Sequence, residues 1–227
     1  MRLNIFGTPM ADRWATFDCY GTLVDWEEGL RRAFADLWPE TDPDRALRAY
    51  HGVEPLVQEG RDIPYRVVMA RALGAVSAIE GLELPDDRAG ALGDSLPSWP
   101  VFGEVPGALA RLRTDGWKLA ILSNTDPDLL ATSVASIGVP FDLTLTAAEA
   151  GSYKPAPGHW RRFYLETGAD PARHVHVAAS LFHDIEPAAR MGIRSVWINR
   201  LGESSDLARA AELPDLAGLP EALAELA

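Results

Sequence analysis

A single cysteine, Cys19, stands in 227 residues, so no internal disulfide is available and the chain suits a reducing, cytoplasmic setting. Basic residues are also short. Lys and Arg total 21 against 33 Asp and Glu, which gives a formal net charge of −12 and a pI near 4.8. Such a surface repels nucleic acid and anionic membranes over long range, so neither is expected as a partner. An anionic ligand would need a local positive field built against that background. No apolar run approaches the length of a membrane span. Met1 to Ala11 contains Gly7 and Pro9 and lacks the apolar stretch of a signal peptide, so it reads as a loose extension. There is no repeat, no low-complexity tract and no Cys/His spacing of the metal-binding kind.

What is present begins with Phe17-Asp18-Cys19-Tyr20-Gly21-Thr22-Leu23-Val24-Asp25. The apolar run Trp14-Ala15-Thr16-Phe17 leads straight into an aspartate, and a glycine and a threonine follow. A buried strand that delivers a carboxylate to its C-terminal end and then turns sharply reads this way. Asp18 is the candidate nucleophile. Cys19 has no partner histidine for thiol chemistry and reads as a small filler.

From Trp26 to about Pro97 the periodicity is helical throughout. Helices are expected over Glu27–Trp38, Pro43–Gln58, Pro64 to about Gly74, and Asp86–Leu92. From Trp99 onward, strands and helices alternate. Strands are expected at 117–122, 143–145, 175–178 and 195–198, and helices at 105–114, 127–137, 157–167 and 185–191, with Asp126 a plausible cap. Short C-terminal helices are expected after the last strand. Alternation of this kind implies an α/β fold with a parallel, doubly wound sheet. Residues 1–25 and 98–227 form its Rossmann-like core, and 26–97 a helical cap inserted after the first strand.

In such sheets the turns after the strands converge on one crevice. They would gather Asp18, the pair Ser123-Asn124, Lys154 and Asp184. A carboxylate can form a covalent intermediate. The Ser123 hydroxyl and Asn124 amide can hold an anion. Lys154 is expected to keep Asp18 ionised, since a nearby opposite charge lowers a carboxylate pKa. Asp184 can balance Lys154, hold a cation or orient water. His183 could act as a base but reads more simply as structural, and His51 and Glu54 could contact substrate from the cap.

The set Asp18-Cys19-Tyr20-Gly21-Thr22, Leu122-Ser123-Asn124, Tyr153-Lys154-Pro155 and Asp184 resembles the haloacid dehalogenase superfamily over almost the whole chain. Its first motif is most similar to that of the 2-haloacid dehalogenase branch. The resemblance implies a hydrolase in which Asp18 forms an ester that water then cleaves, with Thr22, Lys154 and Asp184 as further catalytic residues. A small carboxylate substrate would be held by Tyr20, Ser123, Asn124 and Trp160, with no required cofactor.

The superfamily's phosphatases usually carry a second aspartate two residues after the nucleophile, to protonate a leaving alkoxide. Tyr20 stands there, and Ala179 stands where an acidic residue helps hold Mg²⁺. Both favour a halide leaving group, which needs no acid. Trp160 takes the place of a tyrosine in the dehalogenases, and with Trp26 is the tryptophan expected at the pocket; Leu181 also departs from their pattern. Arg45, Arg48, Arg61 and Arg66 are the cap candidates for receiving the halide. The alternatives are a phosphatase holding Mg²⁺ through Asp18, Tyr20 and Asp184, or a degenerate member that binds a carboxylate without turnover. Apolar faces on the helical insertion make a homodimer plausible.

Overall fold

The computed structural model describes residues 11–59 and 63–226. Arg61 and nearly all of the expected N-terminal extension lie outside them. The first strand, β1 (Arg13–Phe17), is followed by a helical block: α1 (Trp26–Leu37), α2 (Pro43–Gln58), α3 (Tyr65–Glu80) and the short α4 (Ala91–Ser95). Then come α5 (Val105–Thr114), β2 (Trp117–Ser123), α6 (Pro127–Ile137), β3 (Leu143–Thr146), α7 (Ala147–Ala150) and α8 (Gly158–Thr167). The chain closes with β4 (His174–Ala178), α9 (Glu186–Arg190), β5 (Ser195–Ile198), β6 (Ala211–Leu213) and α10 (Leu219–Glu225).

The six strands form one parallel sheet in the order β3-β2-β1-β4-β5-β6. The order reverses around β1 and β4, where the chain crosses from one half of the sheet to the other, and a crevice opens at the carboxyl ends of such strands. Alternation along β1 and β4 divides the side chains between two faces. Ala15, Phe17, Val175 and Val177 join the main core, together with helix residues such as Leu109, Leu112, Leu219 and Leu223. Trp14 packs with Ala120, Leu122, Trp160 and Phe163 in a smaller cluster under α8. His174, His176 and Thr16 are buried on that same side, joined by hydrogen bonds.

The chain leaves and re-enters the core through adjacent segments. Asp25 N–H donates to Pro100 O at 2.8 Å and Phe102 N–H to Leu23 O at 3.1 Å, so the helical block hangs on two strands of backbone lying side by side. Gly29 of α1 passes so close to Trp99 that a Cβ there would lie 2.3 Å from the indole ring.

Four details differ from expectation. In place of one helix over Asp86–Leu92 there is a single tight turn, Asp86–Arg88, and then the separate α4. Helix α3 runs through Gly74, where the buried stripe continues to Val76, and stops at Gly81 in the left-handed conformation, φ 65°. The region after β5 forms an edge strand, β6, before its one helix; three residues are too few for an alternation signal. Asp126 makes no side-chain cap on its own helix, α6. Its two oxygens instead accept the backbone N–H groups of Tyr65 (2.7 Å) and Arg66 (3.0 Å), at the start of α3 in the helical block. The residue before α3 is Pro64, which offers no side-chain acceptor, so the first N–H groups of α3 would otherwise lack one.

Candidate active site

A cavity of about 660 Å³ opens over the carboxyl ends of the strands, between the sheet and the helical block. Asp18, Tyr20, Ser123, Asn124, Lys154 and Asp184 line it from below, and Trp26, His51, Glu54, Gln58 and Tyr65 from above.

The turn after β1 shapes the floor. Gly21 has φ 88°, a conformation that favours glycine, and a Cβ there would lie 3.1 Å from the Trp26 indole nitrogen. The turn brings Thr22 back toward the strand end, where its hydroxyl donates to Asp18 Oδ2 at 3.0 Å. That hydroxyl is itself fixed by the Ala179 N–H at 3.0 Å. Lys154, one of only two lysines in the chain, donates from Nζ to Asp18 Oδ1 at 2.8 Å and to Asp184 Oδ1 at 2.6 Å. Its side chain is 1% exposed.

Two buried polar atoms at this floor, Ser123 Oγ and Asp184 Oδ2, have no hydrogen-bond partner among the described residues. Unsatisfied groups of this kind are costly unless something binds them, and both residues line the cavity.

The family model of haloacid dehalogenase-like hydrolases matches residues 13–192. The chain belongs to that family. A phosphoserine phosphatase from Thermus thermophilus is 32% identical over 104 residues, which span 45% of this chain and 42% of the relative. The (S)-2-haloacid dehalogenase from Pseudomonas sp. strain YL is 28% identical over 198 residues, 82% of each chain. A solved L-2-haloacid dehalogenase superposes with a TM-score of 0.84 at 26% identity, covering 93% of this chain and 98% of its own. The enzyme from Xanthobacter autotrophicus, solved with chloropropionic acid covalently bound, matches in fold with a TM-score of 0.84 at 21% identity, covering 95% and 100%.

In this haloacid dehalogenase-like hydrolase the charges at the floor act as a unit. Burial is the largest influence on every member. It pushes the Asp18 carboxyl up, the Asp184 charge adds to that, and Lys154 pulls back without prevailing. The sequence expectation that Lys154 alone would lower Asp18 left out this loss of hydration. For Asp184, Lys154 and the His176 N–H together outweigh burial and hold the carboxyl well below its usual range. Lys154, between two carboxylates, is raised despite its own burial. The floor therefore carries a fixed Lys154–Asp184 pair and a nucleophile candidate that protonates more readily than an ordinary aspartate.

Two expected substrate contacts are placed differently from expectation. Asn124 lines the cavity, but its side-chain amide is engaged with neighbours: Oδ1 accepts Lys154 N–H at 2.7 Å, and Nδ2 donates to Lys154 O at 2.9 Å and Gln58 Oε1 at 3.1 Å. It holds the lysine's backbone and ties it to the helical block. Trp160 does not line the cavity; it lies 1% exposed in the cluster under α8, edge-on to His176 at 5.3 Å. Its place on α8 turns it toward the sheet.

Tyr20 does line the cavity, but its hydroxyl pairs with Ser133 Oγ at 3.1 Å and its ring packs edge-on against Trp99. For magnesium the donor set Asp18, Tyr20 and Asp184 is poor. Both carboxylates share the Lys154 ammonium, and only Asp184 Oδ2 lacks a hydrogen bond. Among the described residues no group of three His, Cys, Asp or Glu is placed to hold a metal ion.

Of the cap arginines expected to receive a halide, Arg45 pairs with Glu80, Arg66 with Asp126 and Asp128, and neither these nor Arg48 reaches the cavity. Arg31 and Arg200 line it instead. Arg200 Nη2 donates to Thr22 O at 2.8 Å and to Glu104 at 2.6 Å, so it supports the turn that aims Thr22. It follows β5 directly, so the rule that strand ends carry the site points to it. His51 and Glu54 do face the cavity, as does His183, whose Nδ1 pairs with Ser180 Oγ at 3.1 Å.

Proposed function

We propose that this hydrolase removes halide from a small 2-haloacid through an ester on Asp18. The single observation that carries the reading is the floor itself: a buried carboxylate oriented by Thr22 and Lys154, with no side-chain acid free to protonate a leaving group where Tyr20 stands. A halide departs as a stable anion without such an acid, whereas an alkoxide does not. The (S)-2-haloacid dehalogenase relatives that align over most of the chain support the same reading.

In the first step an Asp18 oxygen attacks C2 of the substrate, and the carbon–halogen electron pair leaves with the halide. The substrate carboxylate has the unpartnered Ser123 hydroxyl and the positive field of Lys154 to meet it. In the second step water adds to the ester carbonyl of Asp18. Asp184, through its unpartnered Oδ2, accepts a proton from the attacking water and passes it to the alkoxide oxygen as the acyl C–O bond breaks, which frees the 2-hydroxy acid; the remaining water proton leaves the Asp18 carboxyl for solvent and restores the carboxylate. The balance is one water consumed, and one halide and one proton released. Burial of Lys154 beneath the cavity floor, 1% exposed, strengthens its interactions by keeping bulk water away.

Chloride assay during incubation with 2-chloropropionate and a panel of 2-haloacids tests this; steady release is expected, and no release across the panel overturns it. The phosphoserine phosphatase relative supports a second reading, hydrolysis of a phosphate monoester. Phosphate release that stops on addition of a chelator would favour it.

A further inference from the structure

Asp184 is held from behind by a chain of groups that the two reaction steps do not touch. His176 Nε2 lies 2.9 Å from Asp184 Oδ1, and His176 Nδ1 lies 2.8 Å from Thr16 Oγ1. Thr16 Oγ1 is also 2.8 Å from His174 Nε2, and His174 Nδ1 is 2.7 Å from the Tyr164 hydroxyl. Thr16, His174, His176 and Asp184 are each 0% exposed. Strand register builds the chain: Thr16 of β1 pairs with His176 of β4, and His174, two residues earlier, shares its face. Tyr164 closes it from α8, the helix that follows the Lys154 loop.

One arrangement of protons satisfies every link. Asp184 is a carboxylate and only accepts, so His176 carries its hydrogen on Nε2. With Nδ1 bare, the ring accepts there from the Thr16 hydroxyl. Thr16 has one proton to give and therefore accepts from His174 Nε2–H. His174, which burial keeps neutral, accepts the Tyr164 hydroxyl proton on Nδ1. All donors point toward Asp184. The Trp160 edge holds the His176 ring from the side.

We propose that His176 is a positioning residue for the hydrolytic step: with Lys154 it occupies Asp184 Oδ1, so that Oδ2 alone remains to take the attacking water, and Thr16, His174 and Tyr164 lock the tautomer that does this. Four polar side chains in a layer otherwise built of Trp14, Trp160 and Phe163 are a costly way to fill space. The proposal rests on Asp184 serving ester hydrolysis.

The test is rapid quenching of His176→Phe and His176→Gln with 2-chloropropionate. In His176→Phe the first equivalent of chloride is expected within about threefold of the wild-type rate, while kcat falls about 10- to 100-fold, the range for partners that orient a functional ligand. An ester adduct on the protein accumulates. His176→Gln, whose amide N–H can still serve Asp184, recovers most of kcat. Equal slowing of both steps, or of neither, overturns the proposal. Should His176→Phe not fold, Thr16→Val removes only the hydroxyl that fixes Nδ1; it is expected to show the same split at smaller amplitude, and no split overturns the proposal. Nitrogen NMR of the histidine rings needs no substrate. An Nδ1–H tautomer at His176 defeats the proposal whatever the reaction, whereas an Nε2–H tautomer in a protein that releases no chloride upholds the positioning and defeats the dehalogenase reading alone.

Discussion

The floor and the roof of the cavity are built on different principles. The floor sits on strand ends in a fixed register, with every charge paired: Lys154 to Asp18 and Asp184, and Asp184 to His176. The roof carries a buried carboxyl, Glu54, which accepts from Gln58 Nε2 at 2.7 Å, and burial pushes its pKa up to about 7. The floor is rigid because the sheet is. The roof is held down by a few bonds that cross from the core: Asp126 to the start of α3, Asn124 to Gln58, and the Tyr153 hydroxyl to Ile63 O at 2.7 Å. Charge chemistry is thus assigned to the rigid part, and the part with few crossing bonds closes over it.

The comparison breaks most severely at Lys154. Lys154→Met leaves Asp18 and Asp184 buried without their common cation. Stability is expected to fall by about 3–5 kcal/mol in denaturant titration, and turnover by at least about 10²–10³-fold. A variant with near wild-type stability and rate would mean that the floor is not organised by this charge.

Asp126→Ala should loosen the roof alone. It removes the acceptor for two N–H groups of α3, at a cost of about 1–2 kcal/mol. If closure of the roof is needed for binding, KM rises up to about tenfold with kcat little changed. An unchanged KM would detach the roof from substrate binding.

Glu54 sets a pH dependence of stability. Its folded pKa lies above the unfolded value, so the native state holds the proton more tightly. The contribution is fully present below about pH 4.5 and is lost as pH rises through about 7. The loss is on the order of 3 kcal/mol at most. Glu54→Gln should flatten that part of the stability–pH curve, read by thermal melts across the range. The smallest effect is expected for Tyr20→Phe, which loses one bond to Ser133 and no catalytic group: about 0.5–1.5 kcal/mol in melts, with kcat within about twofold.

The same division governs what can be read in the residues before any coordinates. Asp18, Ser123, Lys154 and Asp184 each stand at or beyond the carboxyl end of a strand, so the parallel-sheet rule alone brings them to one crevice. The order of elements and the helical block after β1 follow from periodicity in the same way. Asn124 and Asp126 were readable as polar residues at a helix start, but not their partners. Those lie 30 to 66 residues away in sequence, on the loop of Lys154 and on the helical block. Trp160 sits at a promising spacing from Lys154, yet its place on α8 buries it against the sheet beside His176 and not in the cavity. Glu54, Gln58 and Tyr65 meet the site only through tertiary packing. The run His174-Val175-His176 carried a clear signal that its length concealed: alternation in a strand places both imidazoles on one face, beside Thr16.

The central claim is that Asp18 bonds to the substrate, and a single turnover in water labelled with heavy oxygen tests it most directly. With enzyme in excess over 2-chloropropionate, the label should enter the carboxyl of Asp18, located by peptide mass, and the 2-hydroxy acid formed should remain unlabelled. Label in the product and none in the protein would contradict the account.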